Sequence, residues 1–286
     1  YHSFMDADIL GVAMKPAALR LFLSILTVVP AWAQLAPQNP DGVTLGHVHL
    51  AVKDVAAQKS FWTNIMGGKL VKNGPLEIIE FPGVYIMLRQ SDTATPPEGA
   101  ILDHFGFVVK DMPAAVAKWK ANNLKITPTE NPNESYVWAP DGIRIEVFGV
   151  PTLPTPVQMN HLHFYASDIS GMQAWYMTIL GATPGKRACV ACVSKPMIIE
   201  TVNVPGVNLS LSPAKERLAP TKGRSLDHIG FEVKDLDAYV KNGGVLLADG
   251  RTGVKDERNL CHDRTLPGLL APALGIRIEE YSSLGP

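Results

Sequence analysis

Polar and apolar positions alternate along four short stretches of the chain, and each stretch runs into the start of a helix. The first is His47-Val48-His49-Leu50-Ala51-Val52-Lys53-Asp54; residues 104–111, 161–168 and 228–235 repeat it. In every copy a histidine stands seven residues before an aspartate. The alternation predicts a strand with His47, His49 and Ala51 on one side. The aspartates Asp54, Asp111, Asp168 and Asp235 precede helical spacing and predict N-caps, a structural role. Residues 55–66 then predict a helix with Phe61, Trp62 and Ile65 inward, stopped by Gly67-Gly68. Three apolar runs follow, at 69–71, 76–81 and 84–88, the last two joined by a Pro82-Gly83 turn. The unit is therefore strand, helix, strand, strand, strand.

The second unit predicts a strand at 102–110, a helix at 112–122 and strands near 125–127, 135–139 and 143–148, with Asp141-Gly142 as its turn. The third opens at 159–167, continues as a helix ending at Gly181, and closes with strands at 197–204 and 207–211. The fourth opens at Leu226, has a short helix near 236–241 and ends with a strand at 276–281. Trp62, Trp119 and Trp175 fall on helical stripes and are expected in the core. Units two and four share Leu-Asp-His, at 102–104 and 226–228; units one and three share His-x-His, at 47–49 and 161–163. The order is thus A-B-A′-B′, a two-unit domain duplicated. Residues 34–44 form a leader, 45–150 the first domain, 151–158 a stiff Pro-rich linker and 159–283 the second domain.

Residues 1–33 stand apart from this pattern. Met14-Lys15 and Arg20 precede an apolar run at 21–29, and Ala31-Trp32-Ala33 is an A-x-A cleavage site. The run is too short to span a bilayer, which takes about 20 apolar residues. A signal peptide over about 14–33 and a periplasmic or secreted protein, with no membrane segment after cleavage, are the expectation. In the 286 residues, 26 Lys and Arg balance 27 Asp and Glu, which excludes a basic field for nucleic acid. A small-molecule substrate is expected, and a homodimer is compatible. Cys189 and Cys192 make a C-x-x-C with no second pair to complete a zinc site. Cys261 is expected to bridge to one of them.

Six of the eight histidines lie in the four repeated stretches. Two such sheets facing each other would enclose a cavity into which first-strand and last-strand side chains converge. The fourth residue after each turn glycine is Met87, Glu146, Ser210 and Glu279. Only the B units place a carboxylate there, in otherwise apolar strands, where an unpartnered glutamate would be costly. With consecutive units paired, each domain offers two histidines and one glutamate: His47, His104 and Glu146, then His161, His228 and Glu279. Two imidazoles and a carboxylate on one face suit Fe(II) first, and also Mn(II) or Zn(II), with positions left for substrate. His49 and His163 share the inward face, where Gly106 and Gly230 would leave them room, and are candidates for a catalytic base or for cavity lining.

These segments, with residues 141–146 and 275–279, resemble the vicinal oxygen chelate superfamily, which includes glyoxalase I, extradiol dioxygenases and bleomycin-resistance proteins. The resemblance spans about 44–283. It implies an α+β fold of four βαβββ modules forming two half-barrel glyoxalase-like domains. It implies a divalent metal held by the first-strand histidines and last-strand glutamates, and dioxygenase or lyase chemistry on an oxygen-chelating substrate. The alternative is a non-catalytic binding protein of the bleomycin-resistance type. Met87 and Ser210 stand where glyoxalase I carries a further ligand, a departure from that enzyme's set.

Overall fold

The computed structural model describes residues 35–74, 76–214, 218–236 and 239. Strand β1 (Val43–Val52) leads into helix α1 (Val55–Ser60), which continues as a π turn at Phe61–Ile65. Strands β2 (Lys69–Asn73), β3 (Leu76–Phe81) and β4 (Val84–Gln90) complete the first unit. The second unit has β5 (Leu102–Val109), α2 (Met112–Ala121), β6 (Ile126–Pro128), β7 (Glu134–Trp138) and β8 (Arg144–Gly149). The third has β9 (Val157–Ala166), α3 (Ile169–Leu180), β10 (Thr183–Ala188), β11 (Ile198–Val204) and β12 (Val207–Pro213). Of the fourth, β13 (Leu226–Val233) is described; its expected last strand, with Glu279, lies outside the described residues. Asp54, Asp111 and Asp168 cap their helices, each accepting from the backbone N–H three residues on, at 2.8–2.9 Å. Among the described residues no helix is long and apolar enough to cross a membrane.

Strand pairing departs from the consecutive arrangement. The described strands form a five-stranded sheet, β13-β1-β4-β3-β2, and an eight-stranded sheet, β10-β11-β12-β9-β5-β8-β7-β6. Unit one therefore pairs with unit four, and unit two with unit three. The reason lies in the connections. Each first strand pairs in parallel with its own unit's last strand, β1 with β4 and β5 with β8, which leaves its other edge open. The segment 150–156 is too short to carry β9 far from β8. It crosses the end of β5, where Val150 N–H donates to Val109 and Lys110 N–H to Pro156, and lays β9 antiparallel on that open edge. The longer segment 91–101 gives β5 the reach to leave the first sheet.

Strand β5 separates the aromatic core from the histidine-bearing face by its period of two. Phe105 and Phe107 point one way and are fully buried; Trp62 stacks on Phe105 at 5.7 Å, with Phe81 4.9 Å from Phe107. Each such ring contributes on the order of 2 kcal/mol of burial. His104 and Gly106 point the other way. Trp119 is buried as expected, whereas Trp175 is 49 % exposed and Tyr176 takes the inward position of α3.

The eight-stranded sheet is curled. Laid flat, its two edge strands would stand about 34 Å apart at the usual strand spacing. Instead the loop after β10 touches the loop before β7: Ser194 donates from N–H and Oγ to Glu130, both at 2.6 Å, and Asn131 donates to the Val190 carbonyl. Cys189 and Cys192 form a disulfide at the base of that loop. The expected bridge to Cys261 is thereby corrected; a spacing of three residues in a turn puts the two Cα atoms 5.3 Å apart, within bridging range. Cys261 lies outside the described residues.

Candidate metal centre

Four side chains meet on the inner face of the curled sheet: His104 of β5, Glu146 of β8, and His161 and His163 of β9. All four are buried, His104 to 1 % exposure and His161 fully. Glu146 Oε2 lies 3.0 Å from His104 Nε2 and 3.4 Å from His161 Nε2. Ligand atoms on one ion at bond lengths of about 2.1 Å are separated by about 3.0–3.4 Å, so the spacing suits a shared cation. His161 Nε2 and His163 Nδ1 are buried without a hydrogen-bond partner. An orphaned imidazole nitrogen beside a buried carboxylate is what a metal would satisfy. These residues could hold a divalent ion.

The Nε2 atoms of two of them are aimed by the residue preceding each histidine. His104 Nδ1 donates to Asp103 Oδ1 at 2.7 Å, and His161 Nδ1 to Asn160 Oδ1 at 3.0 Å. This fixes the proton on Nδ1 and leaves the Nε2 lone pair to face a metal. Asp103 is itself held by Arg144 and by the Gly99 N–H. Burial alone would raise the Asp103 carboxyl; the hydrogen bond and charge of His104, with Arg144, outweigh it and hold it at about 2. Asp103→Asn should lower metal affinity by about 10–100-fold. Competition against a coloured chelator would read it, and unchanged affinity would mean that Asp103 serves only Arg144.

Electrostatics separate the four groups. Burial works against charge on Glu146, yet His161 and His104 outweigh it and keep the carboxyl well below the usual range. Burial likewise opposes charge on His104, but its hydrogen bonds to Asp103 and Glu146 raise it. His161 is lowered by burial, which exceeds the pull of Glu146. His163 is driven to about 2 by burial and by the charges of His104 and His161. Its Nε2 is engaged by Ser212 Oγ at 2.9 Å and its ring stacks on Tyr165. Tyr136 donates to Glu146 Oε2 at 3.3 Å, and burial and that carboxylate raise its hydroxyl pKa.

A second group lies in the five-stranded sheet: His47 and His49 of β1 with His228 of β13. His47 Nε2 and His228 Nε2 stand 3.4 Å apart, and His228 Nδ1 bonds to Asp227 Oδ2 at 2.8 Å. Burial, then the charges of His228 and His49, lowers His47 to about 4. The two groups share one register. His104 faces His163 across the strand pair and Gly106 faces His161; His228 faces His49 and Gly230 faces His47.

The sets expected from consecutive pairing are thus redistributed. His104 and Glu146 stand with His161, not His47; His47 stands with His228, away from His161. Gly106 and Gly230 make room for His161 and His47, not for His49 and His163. Glu279 lies outside the described residues. Asp103, Asn160 and Asp227 were visible in the sequence as an Asp or Asn before a histidine in three copies. Tyr136 carried no comparable signal, because its place depends on the register of β7 against β8.

Residues 44–147 match the family model described as the Glyoxalase/Bleomycin resistance protein/Dioxygenase superfamily. Over those residues the chain is similar to this superfamily. Solved structures agree on the fold. The structure of glyoxalase I from Zea mays aligns with a TM-score of 0.57 at 15 % identity, covering 70 % of this chain and 77 % of that one. A point mutant of the same enzyme aligns with a TM-score of 0.58 over the same shares. The buried His/Glu group thus sits in a mixed α+β fold of two many-stranded sheets, with His161 and His163 outside the matched residues. A different model, the beta-galactosidase trimerisation domain, matches residues 229–286. Beta-galactosidase BgaA of Clostridium cellulovorans is 34 % identical over 76 residues, 27 % of this chain. The alignment spans 11 % of that relative's length. All but the first three residues of the fourth unit, including 275–279, fall inside this second match.

Proposed function

We propose that the chain is a secreted, metal-dependent enzyme that acts on a small substrate chelating the ion through neighbouring oxygens, by dioxygenase or lyase chemistry. The observation that supports it is the buried set of His104, Glu146 and His161, with imidazoles oriented by Asp103 and Asn160 and one Nε2 left unpaired. Two histidines and one carboxylate favour Fe(II), with Mn(II) or Zn(II) as substitutes. When bound, such an ion supplies Lewis acidity toward the chelating oxygens. The protein supplies the rest. Tyr136, kept neutral, fixes the Glu146 carboxylate. His163, also neutral and anchored by Ser212, offers Nδ1 as an acceptor for a substrate hydroxyl; at a pKa of about 2 it suits a hydrogen-bond acceptor better than a base. His49 has the matching position in the second group, where its Nε2 is unpaired.

Secretion is supported by the A-x-A site at 31–33 and by the Cys189–Cys192 disulfide, since disulfides persist in oxidising compartments. The reading is tested by stripping the chain with chelator, adding Fe(II), Mn(II) or Zn(II) anaerobically, and measuring bound metal after desalting. The wild type is expected to retain one ion more per chain than a variant carrying His104→Ala and His161→Ala together. A chain that stays metal-free with all three overturns the enzyme reading and leaves the ligand-sequestering alternative.

A further inference from the structure

Two polar side chains on the inner face of the same curled sheet lack the partners that burial and charge demand. Glu134, on β7, is 1 % exposed, and both of its carboxyl oxygens are buried without a hydrogen-bond partner. Leaving a buried acceptor unsatisfied costs on the order of 1–3 kcal/mol, more when it is charged. Arg187, on β10, is anchored through Nε, which donates to Ser210 Oγ at 2.7 Å, and the Ser210 hydroxyl donates to Asn208 Oδ1 at 2.8 Å. Nε is thus occupied, while among the described residues no hydrogen bond engages the two Nη groups. Arg187 is close enough for its charge to act on Glu134, His161 and His163.

These strands lie near opposite ends of the eight-stranded order, and only the curl of the sheet brings the two side chains within range of each other's charge. The loops that hold the curl flank both residues. Glu134 follows Glu130 and Asn131; Arg187 precedes the Cys189–Cys192 turn. Glu134 and Arg187 do not form an ion pair with each other. The inner face therefore carries the metal-ligating groups beside a carboxyl with no hydrogen-bond partner and a guanidinium whose two Nη groups are unengaged among the described residues. A guanidinium in that state matches a carboxylate bidentately.

We propose that the site's ligand is a small hydroxycarboxylate: its carboxylate accepts from Arg187 Nη groups, and a hydroxyl donates to Glu134, while neighbouring oxygens face His104, Glu146 and His161. This rests on the metal reading above and narrows its substrate class. A structural alternative is that Arg187 and Glu134 serve only to balance each other's charge.

The test uses the full chain with His47→Ala, so that one centre loads, reconstituted with Co(II). Glycerate, lactate and glycerol are titrated against the Co(II) absorption spectrum and, in parallel, against the thermal unfolding midpoint. Glycerate should act at a concentration at least about tenfold lower than glycerol, which lacks the carboxylate, and lower than lactate, which lacks the second hydroxyl; one charge-assisted hydrogen bond suffices for such a factor. Arg187→Gln should erase the advantage over glycerol, and Glu134→Met the advantage over lactate, with Co(II) uptake retained. Glu134→Met should also raise the unfolding midpoint, since it removes an unpaired buried carboxyl group. Equal response to glycerate and glycerol, or a preference that survives Arg187→Gln, overturns the proposal. So does a loss of stability in both variants without change in ligand preference, which is the charge-balance outcome. A wild-type site that takes up no Co(II) refutes the metal reading instead; the thermal titration then still decides whether Arg187 and Glu134 select a hydroxycarboxylate.

Discussion

Glu146→Gln is expected to empty the centre in the eight-stranded sheet and leave the histidines of the five-stranded sheet able to bind. The loss should exceed the roughly 10–100-fold that outer partners contribute, because the change removes the charged ligand itself. Metal analysis after equilibration with a buffered ion would measure it. The pH dependence follows from the same pair. Glu146 is depressed and His104 raised in the folded chain. The stability that Glu146 contributes is present above its ordinary value and lost as pH falls through its depressed one. That of His104 is present below its ordinary 6.5 and lost as pH rises through its raised one. The metal-free chain is therefore held together best between those limits. A cation competes with the proton on His104 Nε2, so metal affinity should keep rising with pH above 6.5. In Glu146→Gln the carboxylate that raises His104 is gone, and the remaining pH dependence should move to lower pH. Unchanged loading in the variant would remove Glu146 from the ligand set.

The residue types of the centre were legible in the sequence; their grouping was not. A histidine seven residues before an aspartate marks a strand that feeds a capped helix, and Asp54, Asp111 and Asp168 all follow that rule. Alternation placed His104 and Gly106 on one face of β5 and the two phenylalanines on the other. Which strands share an edge is a different kind of information. The four copies present nearly the same open edge, so local pattern cannot choose between neighbours. The choice falls to connection length, through the short crossing at 150–156. Glu134, Arg187 and Tyr136 were missed for a related reason. Each is an ordinary polar residue in its own strand and gains its meaning only when register and curl bring distant strands together. The Gly-Ile-Arg-Ile-Glu string at 275–279 lies outside the described residues; the segment also matches the trimerisation-domain family, and five residues are too few to tell the two apart.

Gly106→Ala gives the sharpest test of that grouping. A Cβ at 106 would stand 2.2 Å from His161 Cε1 and 2.6 Å from its Nδ1. No atoms tolerate that approach, and β5 and β9 are locked by their own hydrogen bonds, so the imidazole must leave its place. Overpacking of this kind costs about 1–3 kcal/mol, and the displaced ring takes its Nε2 from the metal. The variant should fold, with a lower unfolding midpoint, and should fail to load the buried centre. Gly230→Ala is its counterpart, with a Cβ 2.2 Å from His47 Cε1, and should disturb only the histidines of the five-stranded sheet. Had consecutive copies paired, Gly106 would have faced His47, and His104→Ala and His47→Ala would empty one and the same centre. Metal content per chain in each variant, with His104→Ala and His47→Ala as references, separates these arrangements. A Gly106→Ala chain that retains metal at the centre emptied by His104→Ala would take His161 out of the ligand set and with it the pairing of units two and three.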